Sequence, residues 1–289
     1  MTRIETIAPQ PSVQNRSAMA RERVQIARAM LANCHFCAHH CGVDRLKGEQ
    51  GLCHAGAEVQ YFSAQVEVSD ELELIPTFAV ALSGCDLRCD FCITGKPSWN
   101  ARDGASFDAP AMAARAAQAL DNGAKTVMVL GGEPTIHLPG ALDFVAELPD
   151  TARLIWKTNA HGSAEARELL DGMFDVWLAD FKFGNDECAL RLAKVRDYCR
   201  IVKENLLWAN EHSELIIRHL LMPGHIDCCW RPVAEWLAAE LPGVKVNLRS
   251  GFWPAWHAVR HPELRGTVSS DETRRALQIA KISQLNLIP

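Results

Sequence analysis

The chain is 289 residues long, 48% hydrophobic and 22% charged, with a formal net charge of −5. That length buries a substantial core and fits one α/β domain with a small appendage. The mildly acidic balance argues against a nucleic-acid or anionic-membrane partner. No run approaches the ~20 apolar residues of a membrane span, and the Arg-rich N-terminal region lacks the apolar core of a secretory signal, so a cytoplasmic location is expected.

The cysteines carry more information. There are 11, and seven fall in two tight groups: Cys34, Cys37, Cys41 and Cys53, then Cys85, Cys89 and Cys92. Short steps between cysteines in a reducing compartment let neighbouring thiolates converge on one metal centre, whereas a secreted disulfide scaffold is usually a shorter chain. Cys188, Cys199, Cys228 and Cys229 are scattered, and are expected to be buried small apolar side chains.

In chain order, residues 1–15 are rich in Pro, Gln and Ser and are expected to be poorly ordered. A weakly amphipathic helix is predicted over 17–31, closing a tail-and-helix segment at 1–33. A Cys-rich metal-binding extension follows at 34–75, and the remainder, 76–289, alternates strands with helices. Short, mostly apolar runs predict strands at 78–83, 126–130, 154–157, 176–180, 214–221 and 244–248. Between them lie predicted helices at 110–120, 140–147, 164–170, 187–206, 231–241 and 271–282. Six strand–helix units imply a partial parallel (β/α)6 barrel, since a closed barrel of eight units typically needs ~250 residues. Active sites of such barrels sit at the C-terminal strand ends.

Chemistry-bearing residues collect at those ends. The first predicted strand runs into Cys85-Asp86-Leu87-Arg88-Cys89-Asp90-Phe91-Cys92, a C-x3-C-x2-C loop. Three thiolates ligate three irons of a cubane and leave the fourth open, as a catalytic metal site requires. A zinc site is the competing reading, but no fourth Cys or His follows Cys92 closely. The second strand ends in Gly131-Gly132-Glu133-Pro134, where two glycines let backbone approach a ligand and Glu133 offers an acceptor to an ammonium. The third ends in Lys157-Thr158-Asn159 and the fourth in Asp180-Phe181-Lys182, which alternation points to one side. The fifth carries Arg218, with His219 facing the opposite way.

This set of motifs resembles the radical SAM superfamily, whose signature is C-x3-C-x-aromatic-C, with Phe91 as the aromatic. The resemblance implies a [4Fe–4S] cluster on Cys85, Cys89 and Cys92, with S-adenosylmethionine (SAM) chelating the open iron. One electron then splits SAM into methionine and a 5′-deoxyadenosyl radical that takes a hydrogen atom from substrate. It further implies SAM contacts from Gly131, Gly132, Glu133, Thr158, Asn159, Asp180, Lys182 and Arg218. The D-x-K element at Asp180–Lys182 and the strand arginine at Arg218 resemble those of the glycyl-radical-enzyme activases, such as the pyruvate formate-lyase activating enzyme. An electron donor such as flavodoxin or ferredoxin is implied with them. Two departures separate the chain from activases. Ile75-Pro76-Thr77-Phe78 stands where they carry D-G-P-G-x-R, and Arg249-Ser250-Gly251-Phe252-Trp253-Pro254 replaces a His-containing loop.

The group Cys34, Cys37, Cys41 and Cys53, with Gly42, Gly48 and Gly51, has the form of a knuckle closed by a later thiolate. It resembles an element of an activase-like branch with an extra N-terminal cysteine motif. Zinc is favoured here, with a second [4Fe–4S] cluster as the alternative and His35, His39, His40 and His54 as spare ligands. The expected activity is therefore radical SAM chemistry on a small molecule or peptide. Generating a glycyl radical on a partner protein is one alternative, and a non-catalytic metal module that binds a partner is another. Methyl transfer through Cys228 or Cys229 finds no support in their spacing.

Overall fold

In the computed structural model, residues 15–69 and 71–289 are described. The expectation for the 1–15 tail falls almost wholly outside them. Helix α1 (Arg16–Met30) is capped by Asn15, whose side chain accepts from Ala18 N at 3.0 Å, and buries Ala20, Val24 and Ala27. Strand β1 (Gln60–Glu67) follows the cysteine-rich loops, and then comes β2 (Thr77–Leu82), whose six residues are all buried. Further elements are α2 (Lys96–Trp99), β3 (Ala105–Ser106), α3 (Ala109–Asp121), β4 (Thr126–Gly131), α4 (Leu138–Glu147), β5 (Leu154–Thr158) and α5 (Ala164–Leu170). The second half contains β6 (Val176–Asp180), α6 (Asp186–Ala193), α7 (Tyr198–His212), β7 (Glu214–Leu220), α8 (Arg231–Glu240), β8 (Lys245–Arg249), α9 (Ser270–Ile282) and β9 (Asn286–Leu287).

These strands form one sheet in the order β3-β1-β2-β4-β5-β6-β7-β8-β9. The run β2-β4-β5-β6-β7-β8 is parallel throughout, as apolar strands joined by helical crossovers require. Its ends do not meet: antiparallel β1 extends the β2 edge and short β9 extends the β8 edge. The fold is thus the expected partial parallel barrel of α/β class. No helix is long and apolar enough to cross a membrane, among the described residues.

One sequence expectation needs correction here. The single helix predicted over 187–206 is two helices, α6 and α7, parted at Lys194 and Asp197, which adopt left-handed φ of 61° and 52°. No Gly or Pro marks this break. Its use is tertiary, because the freed carbonyls of Leu192 and Ala193 accept from Asp90 N and Arg88 N at 2.8 and 2.9 Å. Strand β1 has no clear sequence signal: its residues alternate poorly, and only the two-residue β3 pairs with its outer side.

Buried histidines brace the sheet. His219 turns away from the barrel mouth, as alternation predicts, to bond the Phe181 carbonyl at 2.6 Å and pack on Trp230. Burial pushes it down to about 4, and burial together with Arg45 pushes His137 down to about 3. As pH falls from 6.5 towards 4, the unfolded chain takes up protons that these folded imidazoles refuse. Stability therefore drops by about 1.4 kcal/mol per pH unit for each such histidine. Urea unfolding of His219→Gln should show a shallower decline across that window than the parent chain; equal slopes contradict the assignment.

Candidate active site

The C-terminal ends of β2, β4, β5, β6, β7 and β8 surround one cavity of about 670 Å³. Cys85, Cys89 and Cys92 all line it. Their loop has no regular structure of its own, so its backbone groups bond to neighbouring elements. On one side Gly84 O accepts from Glu133 N at 2.9 Å and Leu82 O accepts from Gly132 N at 3.0 Å; on the other, the loop donates to the end of α6. Burial, with Asp86 adding to it, drives the Cys85 thiol well above its ordinary value, and burial pushes Cys89 up to about 12. Because the thiolate is the metal ligand, these groups shed their protons on meeting a cation.

Gly131 and Gly132 earn their place through backbone contact. A Cβ at Gly131 would stand 2.1 Å from Leu82 O, and one at Gly132 would stand 1.9 Å from Gly84 O. The close approach is to the cysteine loop itself. Glu133 does not line the cavity. It is fully buried, with Oε1 accepting from Thr135 N, Thr135 Oγ1 and Thr158 Oγ1, and Oε2 from Asn159 N at 2.7 Å. Burial and nearby Asp86 raise it to about 7. The carboxylate that a Gly-Gly-Glu turn would offer to a ligand's ammonium instead ties the end of β4 to the end of β5 in the structure.

Thr158 and Asn159 do line the cavity. Asn159 Nδ2 also donates to Asp86 Oδ1 at 2.7 Å and lies 3.7 Å from Cys85 Sγ. Asp86 is wholly buried and takes a second bond, 2.7 Å, from His161 Nδ1; burial opposes its ionisation, but His161 and Asn159 keep it below the usual carboxylate range. Neither Asp86 nor His161 was predicted. The available signal was an acid set between two ligand cysteines and a histidine two positions beyond Asn159.

Asp180, Lys182 and Arg218 meet at the same cavity. Lys182 Nζ donates to Asp180 Oδ2 at 2.5 Å, and Arg218 Nε lies 3.6 Å from Asp180 Oδ1. Burial resists the charge on Asp180, yet Lys182 and Arg218 hold it below its ordinary value. Glu71, buried and unpredicted, stands 3.3 Å from Arg218 Nε and accepts from Asn247 at 3.2 Å. Arg249, Ser250, Gly251 and Trp253 line the mouth, whereas Trp256 packs against Trp99 and over Gly95. Ile93 and Trp253 are 79% and 66% exposed, which gives the rim an apolar character.

Beside this site, Cys34, Cys37, Cys41 and Cys53 line a single void of about 10 Å³ together with Phe36 and Ile136. The knuckle closes through Cys34 N to Val43 O and Gly42 N to Cys34 O, each 3.0 Å. Buried Arg45 donates to Ile136 O at 2.7 Å and sits 3.7 Å from Cys34 Sγ. None of His35, His39, His40 and His54 lines the void; His39 instead reaches the Asp86 carbonyl at 3.0 Å, joining the knuckle to the cysteine loop.

Residues 80–237 match the family described as the radical SAM superfamily, more than half of the chain. The chain belongs to the radical SAM superfamily. It is 33% identical over 276 residues to uncharacterized protein MJ0674 of Methanocaldococcus jannaschii, covering 92% of this chain and 79% of that one. Among solved structures it is similar in fold to Streptococcus suis SuiB bound to precursor peptide SuiA, with TM-score 0.54 and 19% identity over 70% of this chain and 46% of that one. SuiB bound to S-adenosylmethionine matches with TM-score 0.55 and 18% identity over 70% and 47% of the two chains. This chain thus spans just under half the length of SuiB.

Membership of the radical SAM superfamily implies an enzyme with a [4Fe–4S] cluster and SAM, and the cavity suits both. Three thiols share its wall without a fourth Cys or His among its lining residues. Backbone at Gly131 and Gly132, together with Asp180, Lys182 and Arg218 in the same lining, provides donors and acceptors for a zwitterionic ligand. Gly132→Ala tests the seating of the loop: with its Cβ forced onto Gly84 O, it should cost about 3 kcal/mol. Gly266→Ala, which meets nothing within 4 Å, should be near neutral. Thermal unfolding separates the two, and equal midpoints contradict the packing argument.

Proposed function

We propose that this chain cleaves SAM reductively at Cys85, Cys89 and Cys92 and removes a hydrogen atom from a small molecule or peptide. The observation that carries this reading is that three thiols and a preformed Asp180–Lys182–Arg218 cluster line one cavity. The bound cluster and SAM supply the one-electron bond cleavage; the protein binds, orients and keeps the site dry. Cys85, Cys89 and Cys92 ligate iron as thiolates. Gly131, Gly132, Thr158 and Asn159 shape the edge that receives SAM, and Arg218, braced by Glu71, holds its carboxylate. Lys182 keeps Asp180 charged and fixed as an acceptor. Leu87, Phe91, Leu130 and Met222 exclude water around the reacting atoms.

The exposed Ile93 and Trp253 at the mouth support an apolar or peptide substrate. SuiB, in one of its structures, is bound to a precursor peptide, and a peptide substrate for this chain accords with that fold likeness. The resemblance of Asp180–Lys182 and Arg218 to activase motifs supports the second reading, radical generation on a partner protein. An electron donor such as flavodoxin or ferredoxin completes either scheme. The N-terminal knuckle is a second metal site, for zinc or for a second [4Fe–4S] cluster, since four thiols converge on one void.

Anaerobically reconstituted protein with dithionite and SAM should release 5′-deoxyadenosine. Cys89→Ala should abolish release, while Cys199→Ala, a half-buried thiol outside the cavity, should retain it. Arg218→Ala should raise the KM for SAM by about 10-fold or more, as expected when a charge-assisted bond of 1.5–3 kcal/mol is lost. No release from protein with an intact cluster favours a non-catalytic module and contradicts the proposal.

A further inference from the structure

Three of the four scattered cysteines do not behave as the isolated apolar side chains expected from the sequence. Cys188, at the start of α6, meets Cys228 and Cys229, and all three surround His225. Only Cys199 stays apart, its sulfur 3.7 Å from the Phe183 carbonyl. Cys188 Sγ lies 3.9 Å from Cys228 Sγ, which lies 4.0 Å from Cys229 Sγ. His225 Nδ1 is 3.6, 3.3 and 3.7 Å from the sulfurs of Cys188, Cys228 and Cys229. All four ligand atoms fall within 4.8 Å of one another.

These distances fit one tetrahedral ion. Zinc bonds of about 2.3 Å to sulfur and about 2.0 Å to nitrogen place sulfurs about 3.8 Å apart and sulfur–nitrogen pairs about 3.5 Å apart. A cubane would carry its thiolates on separate irons and spread them further. A disulfide needs a sulfur separation of about 2.05 Å, and these cysteines are free. A plain cluster of buried thiols explains the geometry poorly, because one imidazole nitrogen satisfies one thiol and leaves the others without it.

The surroundings are built for such an ion. His225 O accepts from both Cys229 N at 3.0 Å and Trp230 N at 3.2 Å, giving the widened turn Ile226–Trp230 that sets Cys228 and Cys229 beside His225. The chain entering α6 presses on this turn: a Cβ at Gly184 would stand 2.3 Å from Cys229 O. Asn185 Nδ2 reaches Cys228 O at 2.6 Å and lies 3.3 Å from Cys188 Sγ. The other imidazole nitrogen, His225 Nε2, lies 3.5 Å from Arg191 Nη2 and 3.9 Å from Glu263, so a charged pair backs the histidine. Arg191 pairs with Glu263 and lies beside Cys188, so a cation offsets the excess charge of three thiolates on a divalent ion.

We propose that Cys188, Cys228, Cys229 and His225 bind a single structural zinc ion that staples α6 to the turn after β7. None of the four lines the cavity, so the site is closed and separate from catalysis. Its effect reaches the cysteine loop through α6, whose last carbonyls hold Arg88 N and Asp90 N, and through His261, which joins Asp90 at 2.7 Å. This inference is independent of the substrate and of SAM cleavage.

Zinc and iron in the purified full-length chain test it. Cys228→Ser and His225→Ala should each lose one zinc equivalent relative to the parent, with Cys199→Ser unchanged and His225→Cys, a four-thiolate site, retaining the metal. Wild-type crystals measured either side of the zinc edge should show an anomalous peak within bonding distance of the four side chains, whether or not a variant folds. An unchanged zinc count across the variants, or no zinc-edge peak at this position, overturns the proposal; a peak at the iron edge alone overturns the assignment to zinc.

Discussion

Everything at the barrel mouth depends on holding Cys85–Cys92, a buried stretch without helix or strand, in one place. Its backbone is clamped between the end of β4 and the end of α6, through Gly84 and Leu82 on one side and Arg88 and Asp90 on the other. Buried amides and carbonyls left unmet are costly, so these four bonds decide where the three thiols point. The glycines at 131 and 132 exist to allow the first contact, and the break between α6 and α7 exists to allow the second.

Around that clamp the molecule arranges further anchors. Asp86 fastens the loop to Asn159 and His161 at the end of β5, and its carbonyl meets His39 of the N-terminal knuckle. Asp90 fastens it to His261 and Lys194. The knuckle cysteines and the proposed zinc staple thus flank the loop on two sides. A short irregular segment that must survive a change of metal charge gains rigidity from such neighbours. Glu71, buried in the loop between β1 and β2, steadies Arg218, so this polar cluster is set before any ligand arrives.

Much of this was legible in the amino-acid order. Apolar runs place the six strands of the parallel run from β2 to β8 to within about two residues, because strands covered on both faces leave an uninterrupted signal, whereas two-residue β9 leaves none. Cysteine spacing identified the loop, and alternation separated Arg218 from His219. What stayed hidden depends on contacts distant in sequence. Asp86 and His161, 75 positions apart, become partners only when β2 and β5 flank β4. Glu133 read as a ligand group because a Gly-Gly-Glu turn looks open; folding surrounds it with Thr135, Thr158 and Asn159. Cys188 and the Cys228–Cys229 pair are 40 residues apart, and no local spacing announces that α6 and the turn after β7 converge.

The proposed function requires Cys85, Cys89 and Cys92 to carry a cubane with one iron open to SAM at this cavity. Electron paramagnetic resonance of the anaerobically reduced protein, recorded before and after addition of SAM, tests it most directly. A reduced [4Fe–4S] signal should appear whose g-values shift on addition, and this SAM-responsive signal should vanish in the chain lacking these three cysteines. Reduced protein whose signals are all indifferent to SAM, or a SAM-responsive signal that survives loss of these cysteines, contradicts it.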